Sequence, residues 1–158
     1  MRSKSATSGR PERQKPGRSG AEAVGFGALR VRTAIDHCLA VSSSPGEAVE
    51  RYFALAGEVL AASDWTEGCP VGTVALETSA VPGPVAEACG TAFAGWEAAW
   101  SAAFADAGVS PARAAELATI VVANVEGALL LGRVARSPDP MRLAGRAARA
   151  LVDAEIHG

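Results

Sequence analysis

Histidine is nearly missing from this chain: His37 and His157 are the two present, beside three cysteines and a single tyrosine. That leaves few groups for acid–base or nucleophilic work near neutral pH. His157 is the penultimate residue and is expected to fray. His37 adjoins Cys38 on a predicted helix, and successive helical residues point in different directions, so the pair does not suggest a nucleophile and its base. No GxSxG elbow, HExxH motif or glycine-rich phosphate loop after a strand occurs. Cys38, Cys69 and Cys89 are odd in number, widely spaced and without a CxxC, which argues against a disulfide framework or a zinc site and suits reduced thiols in the cytoplasm. The sequence therefore calls for no metal and no cofactor. Its N-terminus is basic but lacks the apolar stretch of a signal peptide. The longest apolar run, residues 117–131, is interrupted by Asn124 and Glu126 and falls short of the roughly 20 residues a bilayer span requires. It is read as a buried helix, with no membrane partner.

Charge is unevenly spread. Residues 1–20 carry six basic side chains and one acidic, whereas the rest carries nine basic and sixteen acidic. An acidic body repels nucleic acid, so only the leader could attract it. Rich in Gly, Ser, Pro and Arg, residues 1–20 are expected to form a solvated, disordered tail, with the folded domain at 21–158.

What the chain has in quantity is alanine, 35 residues of it, the strongest helix former. Strand-favouring residues are sparse, so the expected class is all-α. Val24, Ala28, Val31, Ile35 and Leu39 recur at helical spacing over 21–40. Ser44-Pro45-Gly46-Glu47 predicts a capping box with proline at the first helical position. Residues 64–72 read as a loop, and a short helix follows over about 73–79. Pro84 opens a long helix to about Ala107, Ser110-Pro111 another to about Arg136, and Asp139-Pro140 the last. In that last helix Leu143, Ala147, Ala150 and Leu151 are expected to face inward. The sum is about six helices with short connections.

Three features could carry function. Trp96 and Trp100 lie four residues apart, with Phe93 and Phe104 near the same face, as core rings or as the wall of an apolar ligand site. Thr73 and Glu77 share a face of the short helix, where Glu77 could meet water or a cationic ligand. The 117–131 helix is apolar nearly all round and needs cover on several sides, from its own domain or from a partner chain. Asn124 and Glu126 then need polar partners.

The stretch Ala61-Ala62-Ser63-Asp64-Trp65-Thr66-Glu67-Gly68-Cys69-Pro70-Val71-Gly72-Thr73-Val74-Ala75-Leu76-Glu77 resembles the C-terminal domain of TetR-family regulators, above all the subgroup typified by LmrA and YxaF. So does Ala118-Thr119-Ile120-Val121-Val122-Ala123-Asn124-Val125-Glu126-Gly127-Ala128-Leu129-Leu130-Leu131-Gly132-Arg133, followed by Arg136-Ser137. Trp96 stands where this subgroup has a tryptophan. The resemblance covers about 21–157 and implies a cytoplasmic homodimer. It implies pairing of helices 111–136 and 139–157 with their copies, and a pocket enclosed by residues 21–107 for a small hydrophobic effector. Candidate pocket residues are Tyr52, Trp65, Cys69, Glu77, Phe93, Trp96, Trp100 and Asn124. Candidate interface residues are Leu117, Val121, Val125, Leu129, Leu143 and Leu151. Complete members place a helix-turn-helix of about 45 residues upstream. Here only Pro16-Gly17-Arg18-Ser19-Gly20 resembles its tail end. The expectation is a repressor's sensing half without DNA-binding residues of its own, the operator being a partner only of a form that carries that head. A mis-set start codon, a frameshift or a decayed gene would each give this pattern. Two other functions remain open: a subunit that pairs with an intact regulator and blocks it, and a small all-helical enzyme using His37 or Cys38.

Overall fold

Alanine-rich segments bounded by Ser-Pro and Gly-Pro punctuation form six helices in the computed structural model, which describes residues 19–158. They are α1 (Gly20–Val41), α2 (Pro45–Ala62), α3 (Gly72–Thr78), α4 (Pro84–Asp106), α5 (Pro111–Ala135) and α6 (Asp139–His157). Among the described residues there is no strand. The expected disordered tail lies outside them except at its end. There Ser19 and Glu22 make a reciprocal capping box at the start of α1.

Proline and serine set the other helix starts in ways the sequence only half discloses. Ser44 accepts from the Glu47 amide, as expected, but the Glu47 carboxylate turns to the amide and hydroxyl of Ser43 and to Arg51. The box at this end is thus shifted by one residue. Helix α2 ends on Asp64 and Trp65, both left-handed (φ 54° and 64°), with the Trp65 amide donating back to the Leu60 carbonyl. Asp64 is in turn held by Arg136, the left-handed cap of α5. This ion pair ties the loop after α2 to the α5–α6 turn.

The helices pack in two connected groups. Helix α4 lies between α1 and α5, and α2 lies between α6 and α1. Helix α5 touches α2, α4 and α6 and is the central element. Its length and apolarity would also suffice for a bilayer span, yet here one of its faces is covered by protein. That face is Ala114, Leu117, Ala118, Val121, Val125, Ala128, Leu129 and Gly132. On α6 the buried face is Met141, Gly145, Ala148 and Val152. The predicted inward stripe is thereby corrected: Leu143, Ala147 and Ala150 are exposed and Leu151 is half-buried. Alanine lines both sides of α6, so its apolar spacing could not distinguish them.

At Gly145 helix α6 packs closely on α2, and a Cβ there would sit 2.8 Å from the Phe53 Cβ. Any side chain there must push α6 off α2. Gly145→Val is expected to cost about 2–3 kcal/mol of unfolding free energy through overpacking, measured by urea denaturation. Gly90→Ala on α4, where a Cβ meets nothing within 4 Å, should instead gain about 0.5–1 kcal/mol from helix propensity. Equal effects at the two sites would refute the close packing.

Candidate effector cavity

Large side chains are scarce in a chain so rich in alanine, and where helices diverge the alanines leave space. One opening lies between α1, α2 and the 67–70 loop. Val31, Ala34, Leu55, Ala56, Val59 and Leu60 form its walls, and its volume is about 160 Å³. A second, of about 480 Å³, lies between α3, α4 and α5 and is walled by Ala75, Leu76, Phe93, Leu129 and Leu130. The two share Gly68, Cys69, Glu126 and Leu129. Their linings coincide at this wall, the waist between two lobes, and Glu126 is the only ionisable carboxyl common to both. A third cavity of about 10 Å³ extends from Glu126 toward Tyr52, Trp96 and Trp100.

Local structure explains how a carboxylate reaches this place. Helix α5 projects Glu126 toward the start of α3, where Gly72 has no side chain, and a Cβ on Gly72 would overlap the Glu126 carboxylate. Cys69 is placed by the same turn, its sulfur accepting from the Gly72 amide at 3.2 Å. Burial pushes the Cys69 thiol up to about 12, and the nearby Glu126 charge adds to the shift. Burial likewise raises Tyr52, with smaller contributions from Cys69, Glu126 and Cys38. Burial also raises Glu126 itself, partly offset by its hydrogen bond with Cys69. None of the ion pairs among the described residues involves Glu126. Arg30 lines the first lobe and Arg133 the second, both on exposed positions.

This has a consequence for stability. The folded chain keeps a proton on Glu126 to higher pH than the unfolded chain does, so that group's contribution is most favourable below the ordinary carboxylate range. It is lost as pH rises through the raised folded value. Glu126→Gln should therefore flatten the decline in stability as pH rises above the ordinary carboxylate range. An unchanged slope in denaturant titrations over that rise in pH would contradict the assignment.

The expected pocket residues are distributed as follows. Tyr52 and Cys69 border the first lobe, and Phe93 borders the second. Trp96 and Trp100 are buried and reach the small third cavity, and Trp96 also borders a separate groove between α1 and α4. They act mainly as core: the Trp96 indole donates to the Ala28 carbonyl at 3.2 Å, fixing α4 to α1. Trp100 meets Tyr52 edge-on at 5.8 Å and stacks on Phe104 at 6.1 Å. Trp65 is half-buried against the core and borders neither lobe. Glu77 and Asn124 are exposed and border neither, whereas Thr73 lines the second lobe. Glu126, absent from the expected set, holds the central place. Its signal was a charge inside an apolar helix, shared with Asn124. Two positions apart on a helix is about 200° of rotation, so one of the two had to face away, and spacing alone could not say which.

Of the expected interface residues, Leu117, Val121, Val125 and Leu129 are 9% exposed or less and belong to the protomer's own core. They are not on a surface that a second chain could reach. Leu143 is 54% exposed, and on α5 the exposed apolar residues are Leu130, Leu131 and Val134.

This fold, six helices around a central α5 with a cavity beneath α1, is that of the C-terminal domains of TetR-type regulators. It aligns with a TetR transcriptional regulator from Legionella pneumophila at a TM-score of 0.67 and 16% identity, over 85% of this chain and 70% of that one. Residues 45–147 match the family described as "Transcriptional regulator LmrA/YxaF-like, C-terminal domain", and the chain belongs to that family. Among curated relatives it is 31% identical over 111 residues to the HTH-type transcriptional regulator LmrA of Bacillus subtilis, covering 70% of this chain and 59% of LmrA. With YxaF of the same organism, an uncharacterized HTH-type transcriptional regulator, it shares 26% identity over 122 residues, covering 77% of this chain and 64% of YxaF. The chain thus spans about three-fifths of these relatives' lengths. The family is one of transcriptional regulators and not of enzymes.

Proposed function

We propose that this chain is the effector-sensing and dimerising part of a TetR-type repressor, acting in the cytoplasm as a homodimer. The observation that carries the reading is the two-lobed, apolar-walled cavity at the centre of the domain, with one carboxyl at its waist. The second lobe, of about 480 Å³, is of the size that small organic molecules occupy, and the first, of about 160 Å³, is smaller. Helix α1 forms part of the first lobe and is the first helix of the described residues. A ligand wedged between α1 and α2 would therefore favour one setting of α1 over another, which is what allosteric release requires. Operator DNA is contacted in this reading only by a form that carries a helix-turn-helix.

Binding of drug-sized apolar compounds tests the proposal. A genuine effector at one hundred times its dissociation constant should stabilise the fold by about 2.7 kcal/mol, seen as a raised melting temperature. Ala56→Phe, which fills the first lobe, should abolish that rise while leaving the unliganded protein folded. A ligand whose effect survives the filled lobe would place sensing elsewhere.

A further inference from the structure

We propose that the waist of the cavity selects an elongated organic cation, its positive nitrogen set against Glu126 and its apolar ends in the two lobes. This rests on the reading of the domain as an effector sensor and adds the charge and shape of what it senses.

Glu126 is half-buried on α5, borders all three cavities, and has no cationic side chain as partner among the described residues. A carboxylate withdrawn from water is costly unless a counter-charge meets it. The fold even omits a side chain at Gly72 to admit it. Tyr52 from α2, Cys69 from the loop, Leu129 from α5 and Phe93 from α4 are apolar or neutral walls around it, while the Arg133 guanidinium comes within 4.0 Å of a Cβ on Gly68. The charged groups that share the lobes, Arg30 on α1, Glu67 in the loop and Arg133 on α5, occupy exposed positions where water and salt screen them. A cation at the waist is therefore governed by Glu126. Shape follows from the lobes, which open on opposite sides of Cys69 and Glu126, one toward α1 and α2 and the other toward α3 and α4. A compact ligand would fill one lobe; a long one reaches both and passes the carboxylate midway.

Proton linkage gives a second signature. Only ionised Glu126 attracts the cation, so affinity should increase with pH through the raised Glu126 value. Tyr52 and Cys69, both shifted upward, remain neutral throughout that range. Arg30 and Arg133 remain charged and contribute no change.

The test uses the full 158-residue chain and three diphenyl probes of matched size with the polar group at the centre: dibenzyldimethylammonium, its neutral isostere 2,2-dimethyl-1,3-diphenylpropane, and 2-benzyl-3-phenylpropanoate. Affinities come from calorimetry and from thermal shift at pH 6 and pH 8. We expect the cation to bind at least tenfold tighter than the neutral isostere at pH 8, with the anion weakest. That preference should shrink at pH 6 and vanish in Glu126→Gln, whose melting temperature reports that it is folded. The wild-type comparison stands even if the variant does not fold. Equal binding of all three probes, or an unchanged preference in folded Glu126→Gln, overturns the charge assignment while leaving the sensor reading intact. Absence of binding by any probe, or by any apolar compound in the melting assay above, overturns both.

Discussion

Exchanging Leu130 and Leu143 together for glutamate is expected to convert the proposed homodimer to a monomer, with a rise of at least about 1,000-fold in the dissociation constant, or about 4 kcal/mol. Both side chains are more than half exposed in the single protomer, as are Leu131 and Val134. The short α5–α6 turn brings the end of α5 beside the start of α6, so these side chains flank one corner of the domain. Ile120, Ala123, Gly127, Leu130 and Val134 continue as a stripe along α5, and Leu143, Ala147, Ala150 and Ala154 form one along α6. A monomer rarely leaves a contiguous apolar face of that extent bare. Two copies related by a two-fold axis would bury each stripe against its counterpart. Glutamates at the two leucines would place four carboxylates per dimer in that apolar contact, without cations to meet them. Sedimentation velocity over a concentration series gives the answer. A variant that sediments as a dimer at low micromolar concentration would move the interface away from α5 and α6.

Trp100→Ala is expected to have the largest effect on the protomer itself, about 3–5 kcal/mol of unfolding free energy. Trp100 is 1% exposed and links α4 to α2 through Tyr52 and to its own next turn through Phe104. Its neighbours on α4 are mainly alanines, which cannot expand to fill the void. The vacated space would also join the small cavity beside Glu126 and enlarge it. The melting temperature should fall by roughly 10 °C or more, given the scaling for a domain of this length. Trp96→Phe offers a milder comparison, since it removes the hydrogen bond to Ala28 but keeps most of the ring. A cost for Trp100→Ala below that of Trp96→Phe would show that the aromatic row does not organise the core.

Much of the fold was legible in the sequence because its signals are local. Ser44-Pro45, Gly83-Pro84 and Ser110-Pro111 stop one helix and start another through backbone geometry that depends on a few adjacent residues. All six helices accordingly lie within a residue or two of their expected bounds. The resemblance around residues 61–77 and 118–133 added the family, which the match over 45–147 bears out. The cavity was less legible. Of the residues expected to line a pocket, Tyr52, Cys69 and Phe93 border the two lobes and Glu77 and Asn124 are exposed away from them, while Glu126 was not among those expected.

The reason lies in the composition. Alanine is apolar enough to be buried and small enough to be exposed, so a helix rich in it has no marked inner face. On α5 and α6 two apolar stripes compete, and periodicity weighs them equally. The amino-acid sequence by itself determined that the chain is helical, where each helix begins and ends, and to which family it belongs, since those depend on backbone propensity and residue order. Only the packing of α5 against α2, α4 and α6 decided which stripe became core and which stayed on the surface. The same packing put the one charge on the inner side of α5 at the meeting point of two cavities, because the bare backbone of Gly72 left room there for its carboxylate.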